Sequence, residues 1–374
     1  MRLAGIPFLD KTRIESLSHA DGTDAPVTST EPWRIVVRAA DETTRELTAK
    51  FLVDATGEAA VLPRTLGLQS TVDGLQTRSR SLFTHLRGVG SWTEWMRRRG
   101  GRVDEHPFNC DDAAQHQLVD GAWMWILRFN QGTTSIGLAI DMDRHPLDER
   151  LQGQAEWSWW MARYPSLAQL VKDAKFDPVP GRWIRSERIQ RRFARVVGPN
   201  WALLPHTAGF IDPLHSSGIA HSLCGVERLT DSLLAEWRQP SLVPRLQAYE
   251  AAVLGEVDVI DRLVAGCYAT LGDFRLFVAW SMLYFAAATT YERRRATGGR
   301  DAVGWFLCAD DQQFTNMIRR LEERRRTILA GGSPTPADVA AFEADVAREL
   351  RPYNHAGLCD PAARNMYRFT AAPV

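Results

Sequence analysis

Two stretches of this chain carry residue types whose spacing could do chemistry. The more specific is the eleven-residue string Gly209-Phe210-Ile211-Asp212-Pro213-Leu214-His215-Ser216-Ser217-Gly218-Ile219, set between a short apolar run and a long helical pattern. Small residues entering a helix present unpaired N–H groups and the positive end of the helix dipole, which suits an anion or a developing oxyanion. A plain N-terminal cap would account for the serines, though not for the whole string. The second stretch is Phe51-Leu52-Val53 running into Asp54-Ala55-Thr56-Gly57. It reads as a strand buried on both faces that ends in a sharp turn. Small residues and a glycine there let a ligand approach backbone amides closely, although an ordinary strand-to-helix turn has the same composition. The carboxyl end of such strands is where open α/β sheets place their ligands.

Histidines add a second layer. His215 titrates near neutrality and could act as acid or base, or simply pack. His206, His215, His221 and Cys224 match no zinc spacing, so no metal is expected, and His221 and Cys224 are three apart, as residues sharing one buried helix face would be. Thirteen tryptophans cluster at Trp92/Trp95, Trp123/Trp125 and Trp157/Trp159/Trp160. Wide aromatic walls suit a flat ligand, and the same side chains also fill cores.

These residues must be held by definite elements. Trp33–Arg38 and Leu47–Val53 are β-rich around the polar turn at 40–44, and the stretch 20–30 is loop-like. Ser81–Arg87, Trp123–Phe129 and Thr134–Asp141 read as strands, the last two forming a hairpin. Trp123, Trp125 and Leu127 share one face at period two, with Met124, Ile126 and Arg128 on the other. Asp148–Lys175 has helical spacing, and Trp201–Leu204 is a strand broken at Pro205. Beyond Gly218 the pattern is helical at 219–237, 244–271, 274–294, 311–329 and 336–350, the last with Thr335 as N-cap and Pro336 at the first helical position. The run Arg319-Arg320 and Arg324-Arg325-Arg326 with Glu322 and Glu323 reads as a solvated, salt-bridged face.

The chain has 374 residues, enough for one large or two modest domains, with 45 basic and 45 acidic side chains. That balance disfavours disorder and a nucleic-acid footprint. The longest apolar run, Leu276–Ala288, is shorter than the roughly twenty residues a bilayer span needs, so it reads as buried helix. No long apolar stretch opens the chain, and the five cysteines are odd in number and widely spaced, which points to free thiols and a cytoplasmic default. Arginine supplies nearly all positive charge, since only four lysines are present.

The pairing of Asp54-Ala55-Thr56-Gly57 with Gly209–Ile219, and Trp123-x-Trp125 between them, resembles the FAD-dependent tryptophan-halogenase group within the p-hydroxybenzoate-hydroxylase-like flavoproteins. The resemblance covers roughly residues 10–240. It implies an α/β (α+β) fold: an incomplete FAD-binding Rossmann-like domain at 1–70, an antiparallel β-sheet substrate domain at 71–200, a return to the FAD-binding domain at 201–240, and a helical C-terminal region at 241–374. By the same resemblance FAD is the cofactor, held by Asp54, Ala55, Thr56, Gly57, Gly209, Phe210, Asp212, Pro213, Ser216, Ser217, Gly218 and Ile219. His215, Ser217 and Gly218 would be catalytic, with Ser217 and Gly218 as halide or oxyanion donors, and Trp123 and Trp125 would hold a flat apolar or aromatic small molecule. NAD(P)H or a flavin reductase would supply electrons to an oxidoreductase of the monooxygenase or halogenase kind.

The sequence also departs from the family. No GxGxxG turn occurs in these residues, so Met1 is expected to fall inside the family pattern. Pro205-His206 stands where the family has Gly-Asp, and a neutral imidazole does not reproduce a carboxylate acceptor. The family's lysine has no counterpart, because Lys50 precedes the strand that leads to Asp54. A non-catalytic remnant that binds a ligand or partner is the alternative these departures suggest.

Overall fold

The computed structural model describes residues 5–19, 28–103, 108–298 and 303–360; most of the expected loop at 20–30 lies outside them. The first 74 residues form β1 (Arg13–His19), β2 (Trp33–Arg38), β3 (Thr44–Ala49), β4 (Leu52–Asp54) and the short α1 (Val61–Thr65). Next come β5 (Ser79–Arg87), α2 (Trp92–Arg98), β6 (Gln115–Val119), β7 (Ala122–Arg128), β8 (Thr133–Asp141), α3 (Gln154–Arg163), α4 (Pro165–Val171), β9 (Lys175–Phe176) and β10 (Ile184–Arg188). The chain continues through β11 (Arg191–Arg192), β12 (Val197–Gly198), β13 (Trp201–Leu203), α5 (Pro205–Ala208), β14 (Gly209–Phe210) and α6 (Gly218–Glu236). It closes with α7 (Leu242–Ala269), α8 (Phe274–Thr297), α9 (Gln312–Ala330) and α10 (Pro336–Glu349). The fold is α/β, and no helix among the described residues is long and apolar enough to cross a membrane.

Two compact units result: Met1–Gly74 with Arg191–Val257, and Leu75–Gln190 with Asp258–Val374. In the first, β1, β2 and β3 make an antiparallel meander, while β12, β13 and β4 make a second small sheet. There β13 runs parallel to β4, with Trp201 opposite Leu52, Ala202 opposite Val53 and Leu203 opposite Asp54. The core of this unit gathers Trp33, Val196, Trp201 and Leu203 from the sheet side with Leu229 of α6 and Tyr249 and Val253 of α7. The Trp33 indole N–H donates to the Asn200 carbonyl at 3.2 Å, so this large ring is buried without an unpaired polar atom. One expectation fails here. Val53 is 45% exposed, because β4 is the outer strand of its sheet among the described residues rather than an inner one.

The second unit is built on the antiparallel order β10-β5-β8-β7-β6, with β9 added to β5. Met124, Ile126, Ile136 and Leu138 line the face that packs with Trp157 and Trp160 of α3, so those two tryptophans fill core. On the opposite face, Trp125 lies over Gly137, its cross-strand partner; a Cβ at 137 would stand 2.4 Å from the indole. The glycine is what lets the ring lie flat on the strand. Helix α2 was not visible as a helix in the sequence; Ser91 caps it by accepting from the Glu94 N–H. The expected helix at 148–175 is two helices, α3 and α4, separated at Tyr164 because Pro165 cannot continue the ladder. Thr335 caps α10 through a reciprocal box with Asp338, and Leu276–Ala288 is buried within α8, both as read from sequence.

The arginine run of α9 is corrected by the structure. Arg325 and Glu322 are buried, not solvated. Arg325 falls four residues after Leu321 and three before Ile328, on the apolar face of α9, and donates to the Gly266 carbonyl at 3.0 Å with its guanidinium 4.7 Å from the Trp280 ring centroid. Glu322 accepts from Arg262 at 2.8 Å and also binds Arg326.

Candidate functional site

The site is assembled in the first unit, where the carboxyl ends of β4 and β13 lie side by side. Beyond β4 the chain turns on Asp54. Its Oδ1 accepts from the Thr56 N–H at 2.7 Å and the Thr56 hydroxyl at 2.6 Å, while Oδ2 accepts from the Leu62 N–H at 2.7 Å. Both carboxylate oxygens are thus engaged inside the turn, and Asp54 acts on any ligand by holding Ala55, Thr56 and Gly57 in place. Replacing Asp54 by Ala should cost about 1–3 kcal/mol, since the buried Leu62 N–H loses a charged acceptor while the exposed Thr56 donors can turn to water. A thermal melt measures this, and a midpoint within a degree of the parent would mean the turn holds itself.

Beyond β13 the chain enters α5 with Pro205 at its first turn, a position where the missing proline N–H is no loss. The buried Thr207 hydroxyl accepts from the Gly57 N–H at 2.9 Å, joining residues 150 apart in sequence. Gly57 adopts φ of +60°, and a Cβ there would stand 3.0 Å from His206 Cδ2. Gly218 lies on another side of the same imidazole, where a Cβ would be 3.9 Å from Nδ1. His206 is therefore the group shared by both predicted stretches. Desolvation, with Arg191 and His221 nearby, holds its pKa below the ordinary imidazole value, so the ring is neutral at pH 7. Its face meets Phe210 edge-on at 5.0 Å, and Arg191 donates to its carbonyl.

After β14 the string makes a tight loop. Asp212 is buried and accepts from the Leu214 N–H at 3.0 Å; the Ser216 N–H donates to the Pro213 carbonyl at 2.9 Å, and Ser216 itself sits at φ of +52°. Ser217, also buried, occupies the cap position of α6 yet makes no side-chain capping bond. Capping does not explain this serine. The first N–H groups of a 19-residue helix, Gly218 and Ile219 among them, open at this end. Helix α6 reaches the α5 turn at glycine distance, since a Cβ at Gly225 would be 2.3 Å from Pro205 Cγ. His215 is half-buried in the loop two residues before Ser217.

Sequence reading missed the buried triad beneath this loop. His221 Nε2 lies 3.0 Å from Glu256 Oε2, and Arg228 donates to Oε1 at 2.8 Å; Glu256 is fully buried on α7. Burial works against the Glu256 carboxylate, but the bonds from His221 and Arg228 outweigh it and leave its pKa below the ordinary value. His221 and Arg228 stand seven apart on α6, a visible spacing, but their partner is supplied by another helix. Cys224 is buried on the same side of α6 as His221, and the described residues hold no cluster of three or more metal-ligating side chains.

Trp123 and Trp125 belong to the second unit. Their rings are 5.7 Å apart; Trp123 is buried and donates to the Tyr268 hydroxyl at 3.1 Å, while half-buried Trp125 donates to Ser135 at 3.2 Å. His116, which the sequence did not single out, packs with its ring centroid 4.8 Å from that of Trp123 and its plane tilted by 56°, and desolvation pushes its pKa down to about 4.

No protein-family model matches the chain. Over 386 residues it is 26% identical to the monodechloroaminopyrrolnitrin halogenase PrnC of Pseudomonas fluorescens, a match covering 95% of this chain and 64% of that protein. Over 298 residues it is 29% identical to the tetracycline 7-halogenase of Kitasatospora aureofaciens, covering 75% of this chain and 49% of that protein. The fold is that of the halogenase PltM, whose structure in complex with phloroglucinol and FAD matches with a TM-score of 0.74 at 22% identity, over 90% of this chain and 68% of PltM. The chain is similar to flavin-dependent halogenases. It spans less than two thirds of the length of either of these two curated halogenases.

Proposed function

We propose that the chain acts as an FAD-dependent oxidoreductase of the halogenase and monooxygenase kind on a flat apolar or aromatic small molecule. The observation that carries this reading is the meeting of Gly57 and Gly218 around His206, at the carboxyl ends of a parallel strand pair and the N-terminus of α6. The missing Cβ at Gly57 is what lets the His206 imidazole lie against this backbone, and uncapped N–H groups at the start of α6 suit an electron-rich edge. FAD bound there supplies the oxidative chemistry, with electrons from NAD(P)H or a flavin reductase. The protein's share is positional. Thr56 and Gly57, whose own N–H groups are spent on Asp54 and Thr207, shape the turn beside the cofactor, Ser217 and Gly218 offer N–H groups at the reacting edge, and neutral His206 offers one donor and one acceptor in place of a carboxylate. His215 is the acid–base candidate of the loop, and the aromatic face of Trp125, backed by Trp123 and neutral His116, takes the substrate.

Titrating FAD into the protein and following quenching of flavin fluorescence tests the reading directly. Parent protein should quench; Gly218→Asp, which places a carboxylate where an anion is to be received, should weaken binding at least tenfold, about 1.4 kcal/mol. Equal quenching by both proteins would remove the loop from the site.

A further inference from the structure

One row of the second unit's sheet crosses β6, β7, β8 and β5. His116 stands opposite Trp125, Trp125 opposite Gly137, and Gly137 opposite Phe83. Residues directly opposite share a face, so His116, Trp125 and Phe83 look out on the same side, with Trp123 two positions along β7. Ring centroids lie 6.2 Å apart for Phe83 and Trp125, 5.7 Å for Trp125 and Trp123, and 4.8 Å for Trp123 and His116. The four rings make a continuous wall.

Three of the four have no polar atom left to offer. The Trp123 indole N–H donates to the Tyr268 hydroxyl, the Trp125 N–H donates to Ser135, and phenylalanine has none. His116 differs. Neither of its ring nitrogens has a hydrogen-bond partner among the described residues, and no charged group among them bears on the ring. The residue is exposed, yet desolvation alone holds its pKa down to about 4. An imidazole on a convex surface would keep its ordinary value, so a ring that reaches water and still resists charge lies in a recess. There it is neutral at pH 7, with one nitrogen as donor and the other as acceptor. Core filling accounts for Trp123, which is 1% exposed, but not for an open imidazole at the last strand of the sheet.

We propose that His116 is the polar anchor of this wall: its acceptor nitrogen takes the hydrogen of a hydroxyl or ring N–H carried by a neutral aromatic molecule lying against Trp125. The inference rests on the reading that Trp125 takes the substrate, and it narrows that substrate to an uncharged arene with a hydrogen to donate. An arene without a donor would displace water from the imidazole and leave its acceptor nitrogen unpaired. A carboxylate would meet the same desolvation that keeps the ring uncharged, with no cation there to offset it.

The test uses the flavin-free protein and three molecules built on one ring: p-cresol carries a donor, 4-methylanisole a blocked oxygen, and 4-methylbenzoate a charge. Binding is followed through the nuclear magnetic resonance shifts of the histidine ring nitrogens. At pH 7 p-cresol is protonated, as tyrosine is below a pKa of about 10, and should move the His116 signals. It should bind about three- to tenfold tighter than 4-methylanisole, the range that one neutral hydrogen bond supplies, and 4-methylbenzoate should bind weakest. His116→Phe should bind p-cresol and 4-methylanisole alike while its far-UV circular dichroism stays that of the parent. His116→Gln keeps an acceptor oxygen and should restore part of the preference, which a purely structural role for the ring would not do. Equal affinity of the parent for p-cresol and 4-methylanisole overturns the proposal without recourse to any variant. So does tighter binding of 4-methylbenzoate, a preference that survives in His116→Phe, p-cresol binding that leaves the His116 signals unmoved, or no binding at all. Because flavin is absent throughout, a protein that passes here and fails to quench FAD fluorescence would defeat only the proposed function.

Discussion

A Gly57→Val variant is expected to lose about 2–3 kcal/mol of stability and, with it, measurable flavin binding. Gly57 holds φ of +60°, a region β-branched residues all but avoid, which alone costs of order 1–3 kcal/mol. A side chain there would also press on the His206 ring, the group that Gly218 borders from another side. The matched control is Gly67→Val. Gly67 has nearly the same backbone, φ of +58°, yet no atom within 4 Å of its would-be Cβ. Both variants should melt early, and only the Gly57 variant should lose flavin quenching. Should both retain it, closeness at Gly57 is not what makes the site.

Replacement of Glu256 by Gln should cost about 3 kcal/mol at neutral pH, because it leaves buried His221 and partly exposed Arg228 facing an uncharged acceptor. Chemical denaturation measures the loss. Its pH dependence follows from the lowered Glu256 pKa. A carboxyl that is more acidic folded than unfolded adds stability that is complete above its unfolded value, about 4.3, and drains as pH falls through the folded value. The gap between parent and Glu256→Gln should therefore be widest at neutral pH and shrink on acidification below about pH 4.3. A gap that does not change with pH would assign the effect to packing and not to charge.

What could be read in one dimension was local. The strand Trp33–Arg38, the hairpin of β7 and β8, the Thr335 cap and the helical spacing after Gly218 were legible because side-chain period and turn chemistry act over a few residues. Where the reading slipped, a contact distant in sequence had decided the outcome. Arg325 looked solvated within a run of charge, but the Gly266 carbonyl and the Trp280 ring receive it inside the second unit. Val53 looked like the middle of a buried sheet, but strand order placed it at an edge. His206 was noted as a departure from a motif and as one of four residues without zinc spacing, although it is the residue on which both motifs converge.

By itself, then, the amino-acid sequence determined which short segments could receive a ligand, since a glycine, a turn-forming aspartate and a serine-rich helix entry are properties of neighbouring residues. Tertiary structure alone decided that Gly57 and Gly218 border one imidazole and that Glu256 lies against His221 and Arg228. The physical reason is that burial and partnership belong to pairs of elements: the parallel pairing of β4 with β13, and the packing of α6 on Pro205 and α7, bring together groups that no local period connects.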